Sequence, residues 1–202
     1  MSINHPTKAT LIATVVAMLD EKALEEIRSE DVLEASGISK GSLYHHFEDF
    51  ADLINAALVF RFSRGVDSNI KLISKTLAKA RTEEELFQAL SLVNKATQDP
   101  EVRSTRFERA RVLAISESNP KMALELAQEQ DRLTDAVTDL VQESINKGFI
   151  NASLDPASVA VFIQAYTLGK VVDDIAGDKI EIEKYLRFLD NLMRKCFAAN
   201  SN

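Results

Sequence analysis

The run from Ser29 to Phe47 reads SEDVLEASGISKGSLYHHF, and its punctuation decides the fold. Ser29 is a residue type that caps helix N-termini, and Glu30 and Asp31 follow in the first turn, where the helix dipole favours carboxylates. Gly37 comes eight residues on and takes a turn position that requires positive φ. Ser39 then caps a second short helix, with Leu43 and Phe47 at i, i+4 on one face. Two short helices joined by the turn Ser36-Gly37-Ile38 match the helix-turn-helix arrangement, whose second helix enters a major groove. Val32, Ile38 and Leu43 would fix the angle between the helices, leaving Lys40, Gly41, Ser42, Tyr44 and His45 facing outward. An ordinary helical hairpin has the same pattern.

Working outward, the spacing predicts helices on both sides. Upstream, Thr7 caps a helix with Leu11, Val15, Met18 and Leu19 on one face, and Leu24 and Ile27 are inward anchors of the polar stretch that follows. Downstream, Asp49 starts a helix with Leu53, Ala57, Phe60 and Arg64 on successive turns. After Gly65 the pattern changes to long amphipathic helices. Thr82-Glu83-Glu84-Glu85 is a capping box that turns Leu86, Leu90 and Val93 inward. Further helices are expected from Pro100 to about Glu117, from Pro120 to about Lys147 with Gly148 as the stop, from Asp155-Pro156 to just before Gly177, and from about Ile180 to Phe197. Six glycines and four prolines in 202 residues are too few turn-makers for a multi-strand protein. The expected fold is all-α, with about nine helices.

Composition excludes several classes. Hydrophobic residues at 46% and charged residues at 27% exclude disorder. The single cysteine, Cys196, excludes an internal disulfide and a thiolate-rich metal site. The apolar stretch Ala9–Leu19 runs into Asp20-Glu21-Lys22 without a cleavage site, and no apolar run is long enough for a membrane span, so a cytoplasmic protein is expected. All three histidines lie within the first 46 residues, and the rest of the chain has no nucleophile with a plausible base. No enzyme and no cofactor are therefore expected. His45 and His46 point about 100° apart on a helix, which argues against a metal site. Net charge is −7, and residues 1–64 hold six basic against ten acidic residues. Within that acidic stretch, Ser36–Phe47 has no carboxylate at all.

The run Glu34–Leu53 resembles the DNA-binding signature of TetR-family transcriptional regulators. The signature's core, Gly-hydrophobic-Ser-Lys-Gly-Ser/Thr-Leu-Tyr-x-His-Phe, is matched without a gap from Gly37 to Phe47. The likeness in motif covers about Thr7–Leu58. It implies an Ω-shaped homodimer whose subunits have a three-helix DNA-binding head, residues 1–48, and an effector-binding and dimerisation body, residues 49–202. It also implies that Tyr44 and His46 lie against the phosphate backbone and that Ser39 and Lys40 lie near the groove entrance. Gly41 would admit close approach, Ser42 and His45 would reach base edges, and Ser29 joins the DNA-facing set. Three departures stand out: Leu33 where the family usually has Ala, Phe50 where it has Lys, and the acidic head. The function implied is a one-component repressor that binds a palindromic double-stranded operator as a dimer and is released by a small-molecule effector. The alternative is a helical ligand-binding or protein-interaction dimer whose head has lost operator binding.

In the body, Val102, Ala110, Leu113 and Ala114 form an apolar helix face with Phe107 beside it, and Arg103 and Arg106 fall within that face. Three readings are open: an ion pair with a neighbouring helix, an anchor for an acidic or acyl effector, or a dimer contact. Gln164 and Tyr166 are candidates for the same effector cavity, while Phe62, Phe87 and Phe162 read as core. Between Val159 and Ala176 apolar residues cover more than half the circumference, and the last helix repeats them regularly. A dimer face through Val161, Leu168, Val172, Tyr185, Leu189 and Leu192 is expected, with an intrachain core as the alternative.

Overall fold

Every regular element in residues 5–177 and 179–199, the residues that the computed structural model describes, is helical. The α-helices are α1 (Pro6–Glu21), α2 (Ser29–Ser36), α3 (Lys40–His46), α4 (Phe50–Leu77), α5 (Glu83–Gln98), α6 (Arg103–Ser116), α7 (Pro120–Asn146), α8 (Pro156–Gly169), α9 (Val171–Ala176) and α10 (Ile182–Phe197). Short 3-10 turns at Leu24–Glu26 and Pro100–Val102 complete the set. Among the described residues, no helix is long and apolar enough to cross a membrane.

Several boundaries differ from the sequence reading, each for a local reason. The first helix starts at Pro6 with His5 in the cap position, so Thr7 lies inside it. Proline suits a first helical position because its missing N–H would be unsatisfied there anyway. Ser29 is likewise the first residue of α2, with Arg28 at the cap. The Thr82 hydroxyl does accept from the Glu85 N–H, at 3.2 Å, but the Glu85 carboxylate reaches back to the Arg81 N–H rather than to Thr82. Gly65 does not end α4, which continues to Leu77. A mid-helix glycine costs only about 1 kcal/mol, which a helix of this length absorbs. The helix expected before Gly177 is divided at Lys170 into α8 and α9, giving ten α-helices among the described residues.

The chain forms two compact units. The first runs to Gly65 and adds Val112–Gln128; the second comprises Val66–Arg111 and the chain from Glu129 onward. The boundary is crossed after Gly65, Arg111 and Gln128, each time inside a helix (α4, α6 and α7).

In the first unit, Leu11, Ile12 and Val15 of α1 pack with Val32 of α2, Leu43 of α3, and Leu53 and Ala57 of α4, all withdrawn from solvent. Leu33 and Phe50 are partly buried against this cluster, so the two departures from the family pattern act as extra apolar packing. Lys121 Nζ donates to Asp52 Oδ1 at 2.7 Å. In the second unit, α5 packs along α10. Ser91 Oγ donates to Asp190 Oδ2 at 2.7 Å, and Arg194 pairs with Glu84 at 2.7 Å. An isolated bridge between Ile150 and Ala198 ties the end of α10 to the turn after α7.

Candidate nucleic-acid interface and effector cavity

Gly37 ends α2 with φ 67°, the left-handed conformation that the turn was expected to need. The Ser36 hydroxyl oxygen accepts from the Ile38 N–H at 3.3 Å, holding the turn. Ser39 caps α3 by accepting the Ser42 N–H at 3.3 Å, which satisfies a backbone donor that the first helical turn would leave open. The helix is therefore sided. Leu43 and Phe47 are buried, while Lys40, Gly41, Tyr44 and His45 are exposed and Ser42, His46 and Ser29 are half-buried. A Cβ at Gly41 would meet nothing within 4 Å, so nothing within the protein requires glycine there.

The last turn of α3 carries a contact that sequence distance concealed. The His46 ring lies 4.3 Å from that of His5 and 5.1 Å from that of His45. Removal from water, and then the charges of His5, His45 and Lys8, hold the His46 imidazole below its ordinary value. No group of His, Cys, Asp and Glu among the described residues is arranged to hold a metal ion.

The second unit contains a narrow cavity between side chains of α4, α5, α7, α8 and α10, with about 40 Å³ of space open to the centre of a water-sized sphere. Apart from Asn94, Ser144 and Tyr166, every lining residue is Ile, Leu, Val, Met or Phe. The Tyr166 hydroxyl donates to Asn94 Oδ1, and Asn94 Nδ2 donates onward to Asp190 Oδ1 at 3.3 Å. Burial pushes the Tyr166 phenol up to about 12.

Of the residues read from sequence as effector contacts, only Tyr166 lines this cavity. Arg103 is exposed and lies over the Phe107 ring at 5.5 Å. Gln164 accepts from Gln130 and donates to Thr134 Oγ1 at 3.1 Å. Arg106, the candidate effector anchor, is instead committed within the chain. Its Nε and Nη2 donate to the two oxygens of Asp174 at 2.6 and 2.8 Å, and its Nη1 donates to the carbonyls of Thr97 and Asp99, both at 3.0 Å. The ion-pair reading is the one the structure holds, and it leaves almost no donor for an effector. Lys170 joins the same cluster, reaching Asp173 at 2.8 Å and Asp174 at 3.1 Å. The Arg106 guanidinium, helped by Lys170, keeps the Asp174 carboxyl below the usual range against the cost of burial. Sequence reasoning missed Asn94 and Ser144. Asn94 follows Leu86, Leu90 and Val93 on the inward face of α5, and a polar residue at such a position was the available signal.

The expected dimer residues divide. Val161 and Val172 are 56% and 71% exposed, and Leu168, Tyr185 and Leu192 are half-buried. Leu189 is buried within its own chain, so it belongs to the core and not to a face. Its neighbour Phe188 is 59% exposed and Ile175 is exposed as well, two open apolar side chains that the sequence reading missed. Phe62 and Phe87 are buried as read, whereas Phe162 is partly open beside Tyr166 and Phe197.

No protein-family model and no curated protein matches the chain. Solved structures do. A protein from Mesorhizobium loti assigned to the TetR family of transcriptional regulators superposes with a TM-score of 0.71 at 16% identity, over 95% of this chain and 96% of that one. The fatty acid degradation regulator FadR from Bacillus halodurans gives 0.61 at 16% identity, over 94% and 95% of the two chains. A protein from Saccharomonospora viridis assigned as a transcriptional regulator, solved in complex with choline, gives 0.66 at 15% identity over 95% and 97%. The likeness extends over nearly the whole of each chain, from the helix-turn-helix to the last helix. The chain has the fold of the TetR-family transcriptional regulators.

Proposed function

We propose that this protein is a one-component transcriptional regulator that binds a palindromic operator as a homodimer and is released by a small molecule held in the second unit. The observation that carries the reading is the sidedness of α3: a Ser39-capped helix with Leu43 and Phe47 turned into the core and Lys40, Gly41, Tyr44 and His45 presented outward. Such a helix can lie in a major groove, its hydroxyl and ammonium groups on phosphates and its short side chains on base edges. The exposed apolar side chains of Val161, Val172, Ile175 and Phe188 support self-association. Repression follows from operator occupancy, and release follows if the effector prefers one of two dimer arrangements.

Mobility shift with DNA from the flanks of the protein's own gene tests this, at two salt concentrations. Two or three phosphate contacts per subunit give a slope of log affinity against log salt of roughly −4 to −5. A slope near −10 would mean that other residues reach the backbone. The acidic head and Phe50 favour a second reading, a dimer that has lost its operator, and no shift at low salt would establish it.

A further inference from the structure

We propose that the cavity of the second unit takes an uncharged, largely apolar molecule carrying one hydroxyl-type donor, seated on the phenolic oxygen of Tyr166. The proposal rests on the regulator reading only in calling that molecule the effector; the binding chemistry follows from the wall itself.

No Lys, Arg, Asp, Glu or His lines the cavity. A carboxylate or ammonium entering it would lose its hydration and gain no counter-charge, which strongly disfavours either ion. The basic side chain closest to the original expectation, Arg106, is committed to Asp174. The carboxylate behind Asn94, that of Asp190, is already held by Ser91 and Asn94.

The hydrogens of the polar wall residues are also accounted for. Ser144 Oγ donates to the Leu140 carbonyl at 2.8 Å, and Asn94 Nδ2 donates to Asp190 and to the sulfur of Met193. Tyr166 donates to Asn94. What the wall offers a ligand is acceptor capacity, in the lone pairs of the Tyr166 and Ser144 hydroxyl oxygens. A ligand that brings a donor completes this set. A ligand with acceptors alone would have to draw the Tyr166 proton away from Asn94 and leave a buried carbonyl unpaired. Because Asn94 of α5 accepts the Tyr166 proton and is itself tied to Asp190 of α10, the oxygen is positioned before the ligand arrives. The remaining apolar wall suits an unbranched or cyclic hydrocarbon body.

Four matched probes test the proposal by calorimetry on the full chain: octan-1-ol, 1-methoxyoctane, octanoate and octylammonium at neutral pH. Octan-1-ol should bind saturably, at least tenfold tighter than either ion. Tyr166→Phe should weaken octan-1-ol about tenfold and leave 1-methoxyoctane unchanged, with the helical circular dichroism signal retained. Leu90→Phe, which fills the cavity from α5, should abolish binding of both neutral probes. Equal binding of either ion and the alcohol, or an equal response of both neutral probes to Tyr166→Phe, overturns the proposal. If Tyr166→Phe does not fold, the ranking of the four probes on the unaltered chain decides. No DNA is present in these titrations, so their failure leaves operator binding untouched, and failure of the gel shift leaves the probe ranking untouched.

Discussion

The guanidinium of Arg106 meets the carboxylate of Asp174 edge-on through two hydrogen bonds, with side-chain exposures of only 6% and 0%. Removing one partner of such a pair costs far more than the pair itself contributes, because a buried charge is left alone. Asp174→Asn should therefore destabilise the protein by about 3–5 kcal/mol in urea unfolding, and the joint replacement Arg106→Met with Asp174→Leu should recover most of that loss. The pH dependence has a definite sign. The folded state depresses the Asp174 pKa, so the unfolded chain takes up the proton more readily. The stabilisation is complete above the unfolded value of about 3.9 and is lost as pH falls through the lower folded value. Acid titration of stability should be shallower in Asp174→Asn.

Adjacent residues of α3 should separate folding from binding. Leu43 is buried and Tyr44 is 47% exposed. Leu43→Ala should cost about 2–5 kcal/mol of stability by thermal or urea unfolding. Tyr44→Ala should change stability by no more than about 0.5 kcal/mol. It should nevertheless weaken binding to every DNA sequence alike, by about 1 kcal/mol, because a phosphate contact positions without specifying. Unchanged affinity in Tyr44→Ala would take α3 out of the groove.

The same contrast applies on α10. Phe188→Asp places a charge on the open apolar face and should give a folded monomer by light scattering with circular dichroism. Leu189→Asp buries an unpaired carboxylate and should cost about 4 kcal/mol or more, unfolding the chain rather than dissociating it. A wild-type dimer in Phe188→Asp would move the self-association surface elsewhere.

His46 should titrate by NMR with a midpoint below about 6.5. The fold favours the neutral ring, so this group stabilises the protein above its unfolded pKa and the contribution is lost as pH falls. His5→Ala removes one of the neighbouring rings and should move the midpoint up. If His46 lies against phosphate, adding operator DNA should also raise it; a midpoint that does not move would leave His46 a packing residue.

Legibility in the sequence followed the range of the interaction. Gly37, Ser39, Leu43 and Phe47 act within one or two helical turns, and each stands as its spacing implied. Leu189 is buried where a dimer face was expected because a helical repeat identifies an apolar stripe but not which edge of it a neighbouring helix covers. Arg106 found its partner 68 residues away, and Tyr166 found Asn94 at a separation of 72. Contacts of that kind depend on how helices are juxtaposed, and helical periodicity within one element carries no record of it.

The helical crossings after Gly65, Arg111 and Gln128 have a consequence for how such a protein can be rebuilt. There is no interdomain loop at which to splice. A chimera that grafts residues 1–65 onto a foreign partner inherits α3 but not Lys121, so Asp52 loses its ammonium neighbour. It also loses the buried Met122 and Leu126, which belong to the same unit. If α3 reads an operator as proposed, a change of specificity is better written as substitutions on the surface of α3, because wholesale recombination at a single junction leaves the transplanted piece incomplete.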